Sequence, residues 1–200
     1  ALKGSGIFLG GQNLHWENQG AFTGEISAQM LLSAGCSHVI IGHSERRQFF
    51  GETDETVNKK IGAAVDAGLV PVMCIGETES EREAGKTFSI LDKQIQKGLE
   101  GLSFEGLKQL VVAYEPVWAI GTGKTASSDQ AQEAHRYIRE QLEKGFGAEL
   151  AGSVRILYGG SVKPDNIAEL MAQPDLDGAL VGGASLDPEV FSRIVHYEKG

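Results

Sequence analysis

The apolar residues of this chain alternate between two textures. Short β-branched and aliphatic runs with little internal alternation occupy residues 7–11, 38–42, 69–75, 110–115, 154–158 and 178–181. Runs of this kind predict strands buried on both faces. Between them the spacing becomes helical. Ala134, Ile138 and Leu142 recur every fourth residue, and Ile167, Leu170 and Met171 make a similar stripe. Both stripes are read as core packing. Strands alternating with helices imply right-handed βαβ units and a parallel sheet, hence an α/β fold. No composition break or low-complexity linker interrupts the pattern, so residues 1–200 are expected to form a single parallel βα domain.

In parallel βα folds a ligand sits on the loops that follow the strands. Those loops are therefore the place to look for chemistry. The first carries Gln12-Asn13 and a long polar stretch ending GAFTGE at 20–25, equally suited to a surface, a subunit contact or a substrate. The second carries Gly42-His43-Ser44-Glu45-Arg46-Arg47. A helix starting near Ser44 or Glu45 would keep a histidine at this point neutral and able to polarise a carbonyl. His43 is also readable as a structural histidine, and Glu45 with Arg47 as an ion pair bracing the loop. The third carries Cys74-Ile75-Gly76-Glu77-Thr78, where Cys74 reads as a packed thiol and Glu77 as a capping or ion-pairing carboxylate.

The fourth loop is the most informative. Glu115 is followed by Pro116, which ends the strand, and then by apolar Val117, Trp118 and Ile120 before Gly121 and Gly123. That is a lid with hinges, able to cover a site and exclude water around a general base. The alternative for Glu115 is a strand-end carboxylate in a salt bridge. Gly123-Lys124-Thr125 invites a nucleotide-binding reading, but that motif needs glycine at the position held by Trp118. The fifth and sixth strands are followed by Gly159-Gly160-Ser161, with a helix near Pro164, and by Gly182-Gly183-Ala184-Ser185. Two glycine pairs after successive strands let backbone N–H groups approach an anion.

Charge and composition narrow the partners. Eighteen Lys and Arg against 27 Asp and Glu give a net charge of −9 with no basic tract, which argues against nucleic acid. Cys36 and Cys74 form no Cys-x-x-Cys and read as thiols of a reducing compartment; no apolar run is long enough for a membrane span. A cytoplasmic location is the expectation. The five histidines are dispersed, so no metal site is expected.

Taken together, GAFTGE (20–25), IGHSERR (41–47), CIGET (74–78), AYEPVWAIGTGK (113–124), YGGS (158–161) and LVGGASL (180–186) resemble the triosephosphate isomerase family, in its own order and over nearly the whole chain. The resemblance implies a TIM-type (β/α) barrel, here incomplete, with about six of the eight βα units. It implies glycolytic and gluconeogenic interconversion of dihydroxyacetone phosphate and D-glyceraldehyde 3-phosphate without a cofactor. A carboxylate base paired with a neutral histidine is the established example of this family, and enters as an implication of the resemblance. It makes Glu115 the base and His43 the electrophile. Gly121, Ser161, Gly182 and Gly183 become phosphate ligands, and Ser44, Glu45 and Cys74 supporting residues.

The chain departs from the family at its start. It opens Ala1-Leu2-Lys3 without Met, as a processed, truncated or engineered start would, and lacks the strand ending Asn-x-Lys whose lysine sits beside the substrate. Lys3 is the sole nearby candidate and its context does not support it. Six strands leave open sheet edges, so a homo-oligomer, not necessarily the usual dimer, is expected to cover them. A non-catalytic remnant that keeps the fold and binds anions is the competing expectation.

Overall fold

The computed structural model describes residue 2 and residues 4–198. The chain start at Ala1 and the candidate Lys3 lie outside the described residues. In chain order come β1 (Gly10–Gly11), α1 (Ala28–Ser33), β2 (His38–Ile41), α2 (Ser44–Phe49), α3 (Asp54–Ala67) and β3 (Val70–Ile75). Next are α4 (Glu79–Glu83), α5 (Thr87–Gly98), α6 (Phe104–Leu107) and β4 (Val111–Tyr114). The last elements are α7 (Ser128–Phe146), α8 (Ala148–Ser153), β5 (Arg155–Tyr158), α9 (Ile167–Met171), β6 (Gly178–Ala179) and α10 (Pro188–Val195). Each predicted strand run holds a strand, and strands adjacent in the sheet are consecutive in the chain. By its contacts the chain forms two compact units, residues 1–74 with 96–111, and residues 75–95 with 112–200.

In the first unit β1, β2 and β3 run parallel, with Gly10 opposite His38 and Val39 opposite Pro71. The first strand is shorter than predicted. Ile7 and Phe8 are 63% and 73% exposed, so they bury no face to hold them in the sheet, and only the two glycines pair. Gly11 packs on Leu31, whose methyl would have to move to admit a Cβ at 2.8 Å. Helix α3 starts with a reciprocal Thr53–Thr56 capping box and ends at Gly68 in the left-handed region (φ +81°). Its Val57, Ile61 and Ala64 are buried with Val39, Ile41, Met73 and Cys74.

In the second unit Val112, Ala113 and Tyr114 of β4 are buried. Helix α7 is capped reciprocally by Ser127 and Gln130. The predicted stripe of Ala134, Ile138 and Leu142 is buried, as are Ile167 and Leu170; Met171 is half-buried. Strand β6 pairs parallel with β5 for two residues, and the Leu180 N–H extends the ladder to the Tyr158 carbonyl at 2.9 Å. The helix expected near Pro164 starts three residues later. The Asn166 side chain accepts the Lys163 N–H at 2.8 Å and closes a turn there first. Among the described residues no helix is long and apolar enough to cross a membrane.

Candidate active site

Two strand-end turns carry the candidate catalytic residues, one in each unit. In the first unit β2 ends at Gly42 and α2 begins at Ser44, with His43 as the capping residue between them. Gly42 has φ +78°, and a Cβ on it would lie 2.9 Å from Val57 and 3.1 Å from the Cys74 carbonyl oxygen. No residue with a side chain fits there without strain. The Glu45 N–H donates to Nδ1 of His43 at 3.3 Å. The Glu45 carboxylate, 68% exposed, is farther from the same nitrogen at 3.9 Å. The amide therefore takes that nitrogen, which must carry a lone pair, leaving the ring proton on Nε2. This arrangement suits a neutral imidazole that donates a hydrogen bond.

Ser44 is buried at the first position of α2, and Cys74 is fully buried in β3. Cys74 joins the turn through its backbone, since its carbonyl accepts from Nη2 of Arg47 at 3.2 Å. The expected pairing of Arg47 with Glu45 is corrected by the structure. Arg47 reaches Asp54 at 2.6 Å and the Gly42 carbonyl at 2.8 Å, because both acceptors are buried and need a donor.

In the second unit Glu115 follows β4 and is 2% exposed. Its N–H donates to the Ile75 carbonyl at 2.7 Å, and the Gly159 N–H to the Tyr114 carbonyl at 2.7 Å. Glycines flank it on both sides. A Cβ on Gly76 would fall 1.7 Å from the Glu115 carbonyl oxygen, and one on Gly159 would fall 3.0 Å from its Cγ.

The lid begins with a single 3-10 turn, Val117–Ala119, and Glu77 anchors it. This carboxylate is fully buried and accepts from Trp118 Nε1 at 3.0 Å, Tyr114 Oη at 3.1 Å and Arg82 Nη1 at 3.0 Å. Its backbone carbonyl takes the Val117 N–H at 3.1 Å, and the Arg82 guanidinium lies over the Trp118 ring at 4.5 Å. Burial first, and then the Glu77 charge, push the Tyr114 hydroxyl well above the ordinary range, so it stays protonated as a donor. The ion-pairing reading of Glu77 holds; the helix cap is Thr78 instead. Gly121 and Gly123, at φ +66° and +81°, form the exposed far end of the lid, where Lys124 pairs with Glu79.

The two glycine-pair loops lie at the same end of adjacent parallel strands because β5 and β6 pair in register. Gly160 packs so closely on Tyr158 and Pro116 that a Cβ would stand 2.3 Å from the Tyr158 hydroxyl. Ser161 is half-buried, with its carbonyl held by the Asn166 side chain at 3.0 Å. Gly182 and Gly183 are exposed with open space where a Cβ would be. Asn166 at the Ser161 turn, Arg82 at Glu77, and Glu52, which accepts the Gly42 N–H at 2.8 Å, hold the strand-end turns, yet none lies in a motif that the sequence pattern marks. Among the described residues no group of three or more His, Cys, Asp or Glu is placed to hold a metal.

The sequence also matches known proteins. The family model described as triosephosphate isomerase matches residues 1–198. The chain belongs to the triosephosphate isomerase family. It is similar to the triosephosphate isomerase of Citrifermentans bemidjiense, 62% identical over 100% of this chain and 79% of that protein. It is also similar to those of Geotalea uraniireducens (61%, 100% and 79%) and Moorella thermoacetica (59%, 100% and 80%). Membership in the triosephosphate isomerase family fits the fold class expected from the strand pattern, a TIM-type α/β fold with six βα strands.

Proposed function

We propose that this chain interconverts dihydroxyacetone phosphate and D-glyceraldehyde 3-phosphate through an enediolate. The observation that carries the reading is the Glu115 turn, a buried carboxylate wedged between Gly76 and Gly159 at a strand end, in a chain of this family. Glu115 removes a proton from C1 of the ketose. The C–H electron pair becomes the C1–C2 double bond, and the carbonyl pair moves to oxygen. His43 donates from Nε2 to that developing oxyanion. Glu115 then returns the proton to C2 after a proton has passed between the two oxygens, so atoms and electrons balance and no cofactor enters. Backbone N–H groups at Gly121, Ser161, Gly182 and Gly183 bind the phosphate, which lets an acidic protein hold an anion without a basic cluster. Ser44, Glu45 and Cys74 support the His43 turn.

Exchange of the C1 proton of dihydroxyacetone phosphate in D2O, read by NMR, tests this reading. Wild type is expected to exchange, and Glu115→Gln to lose roughly 10²–10⁴-fold, the usual contribution of a positioned base. Exchange that persists in Glu115→Gln, with host enzyme excluded, defeats the assignment. No exchange by wild type leaves the anion-binding remnant as the better reading.

The same proposal includes a homo-oligomer of single-domain chains in the cytoplasm. Exposed Ile7 and Phe8 beside the terminal strand β1 support a second copy as cover, and two buried cysteines with no Cys-x-x-Cys suit a reducing compartment. The solution mass is expected to exceed the 21.3 kDa of one chain.

A further inference from the structure

Gly42, the residue before His43, has both of its peptide groups held by charged side chains. Its N–H donates to Oε1 of Glu52 at 2.8 Å, and its carbonyl accepts from Nε of Arg47 at 2.8 Å. Neither holder is independent. The other oxygen of Glu52 accepts from Arg46 Nε at 2.8 Å and from Lys60 Nζ at 2.9 Å. Lys60, only 4% exposed, also donates to Asn13 Oδ1 at 2.7 Å, and Arg47 pairs with Asp54. The frame thus draws on the first strand-end loop, α2, the loop after it, and α3, and it closes on one residue, Gly42.

Two physical points separate this frame from ordinary glue. Buried ion pairs stabilise poorly compared with apolar packing of the same volume, so five charged side chains around one turn are an inefficient way to add stability. They are an effective way to fix geometry, because each bond has a defined length and direction and breaking one strands a buried charge. Burial alone would push the Glu52 carboxyl upward. Lys60, Arg46 and the Gly42 N–H outweigh that and hold it below the usual carboxylate range, so it stays an acceptor. The turn itself is intolerant, since Gly42 sits at φ +78° against Val57 and the Cys74 carbonyl. A displaced Gly42 moves His43 with it.

We propose that Glu52, fixed by Lys60 and Arg46, is a positioning residue that sets the orientation of the His43 ring through the Gly42 N–H. The proposal rests on the isomerase reading for its catalytic consequence but not for its geometry. It is tested with Glu52→Gln and Lys60→Met in the full chain, and with Ile61→Val, a core change in the same helix, as a control for lost stability. Three quantities are read: the ¹⁵N and ¹H signals of the His43 ring, kcat and KM separately, and Tm.

Both variants are expected to shift the His43 ring signals and to lower kcat about 10- to 100-fold with KM nearly unchanged, as small misplacements of a reacting group do. Ile61→Val is expected to lower Tm alone. Folded variants with unmoved His43 signals and unchanged kcat, losing only Tm, overturn the proposal. If Glu52→Gln does not fold, Lys60→Met decides by the same criterion. If wild type shows no turnover, the isomerase reading fails, and the His43 signals alone decide on the clamp.

Discussion

The turns at His43 and Glu115 do the same job by opposite means. Each ends a buried strand and presents one side chain. The His43 turn is framed by Glu52, Asp54, Arg46, Arg47 and Lys60, which converge on Gly42. The Glu115 turn is held by contact, with Gly76 so close that no Cβ fits and Gly159 tightly packed, and by one buried carboxylate, Glu77, facing Tyr114, Trp118 and Arg82. The charged frame adds a dependence on protonation states to the tight fit of Gly42, whereas the Glu115 turn depends chiefly on volume. The contrast teaches that the two proposed catalytic positions need not share a vulnerability.

The sharpest way to break the comparison is Gly76→Ala. Its Cβ would meet the Glu115 carbonyl oxygen at 1.7 Å, which side-chain rotation cannot relieve. Overpacking costs about 1–3 kcal/mol and more where backbone must move, so a loss above about 3 kcal/mol is expected in urea unfolding. Gly159→Ala, with its contacts at 3.0 and 3.1 Å, should lose less. A stable Gly76→Ala protein would show that contact does not hold this turn.

Acid should separate the two turns next. His135 is fully buried, meets Tyr114 edge-on at 5.8 Å, and is lowered by burial to about 4. The unfolded chain binds its proton more readily, so its contribution is complete above pH 6.5 and is lost as pH falls from there toward about 4. The loss amounts to at most about 3 kcal/mol. Glu52 is depressed instead, so its contribution is complete above its ordinary value of 4.5 and declines only at lower pH. On acidification the amide-exchange protection factor at Tyr114 should therefore begin to fall at a higher pH than that at Gly42, and His135→Gln should flatten the first limb. The reverse order would invert the comparison.

The smallest effect on stability is expected at Gly183→Ala. Nothing lies within 4 Å of the added Cβ, so the unfolding free energy should change by no more than about 0.5 kcal/mol. Inorganic phosphate binding, followed by titration, should weaken. Unchanged phosphate affinity would remove this loop from the proposed anion site.

Much of the fold was legible in the sequence because burial on both faces leaves an unbroken apolar run. Strands β2 to β5 fall within one residue of the predicted bounds for that reason. The outer runs at 7–11 and 178–181 were overcalled, since pairing there depends on neighbours rather than on local apolarity. His43, Glu115 and the glycine pairs were legible because strand ends are marked by Gly and Pro. Arg47 was matched to its near neighbour Glu45, whereas the structure turns it to Asp54, seven residues away.

By itself, the sequence determined the alternation of strand and helix, the strand ends, and the residue types presented there. These follow from local rules of side-chain periodicity and backbone freedom. Only the tertiary structure decided what holds each strand end in place. Glu52 reaches Gly42 across ten residues, Glu77 reaches Trp118 across 41, and Gly76 meets Glu115. Such partners are chosen by which buried groups need a donor, an acceptor or empty space, and that becomes defined only when the chain has packed.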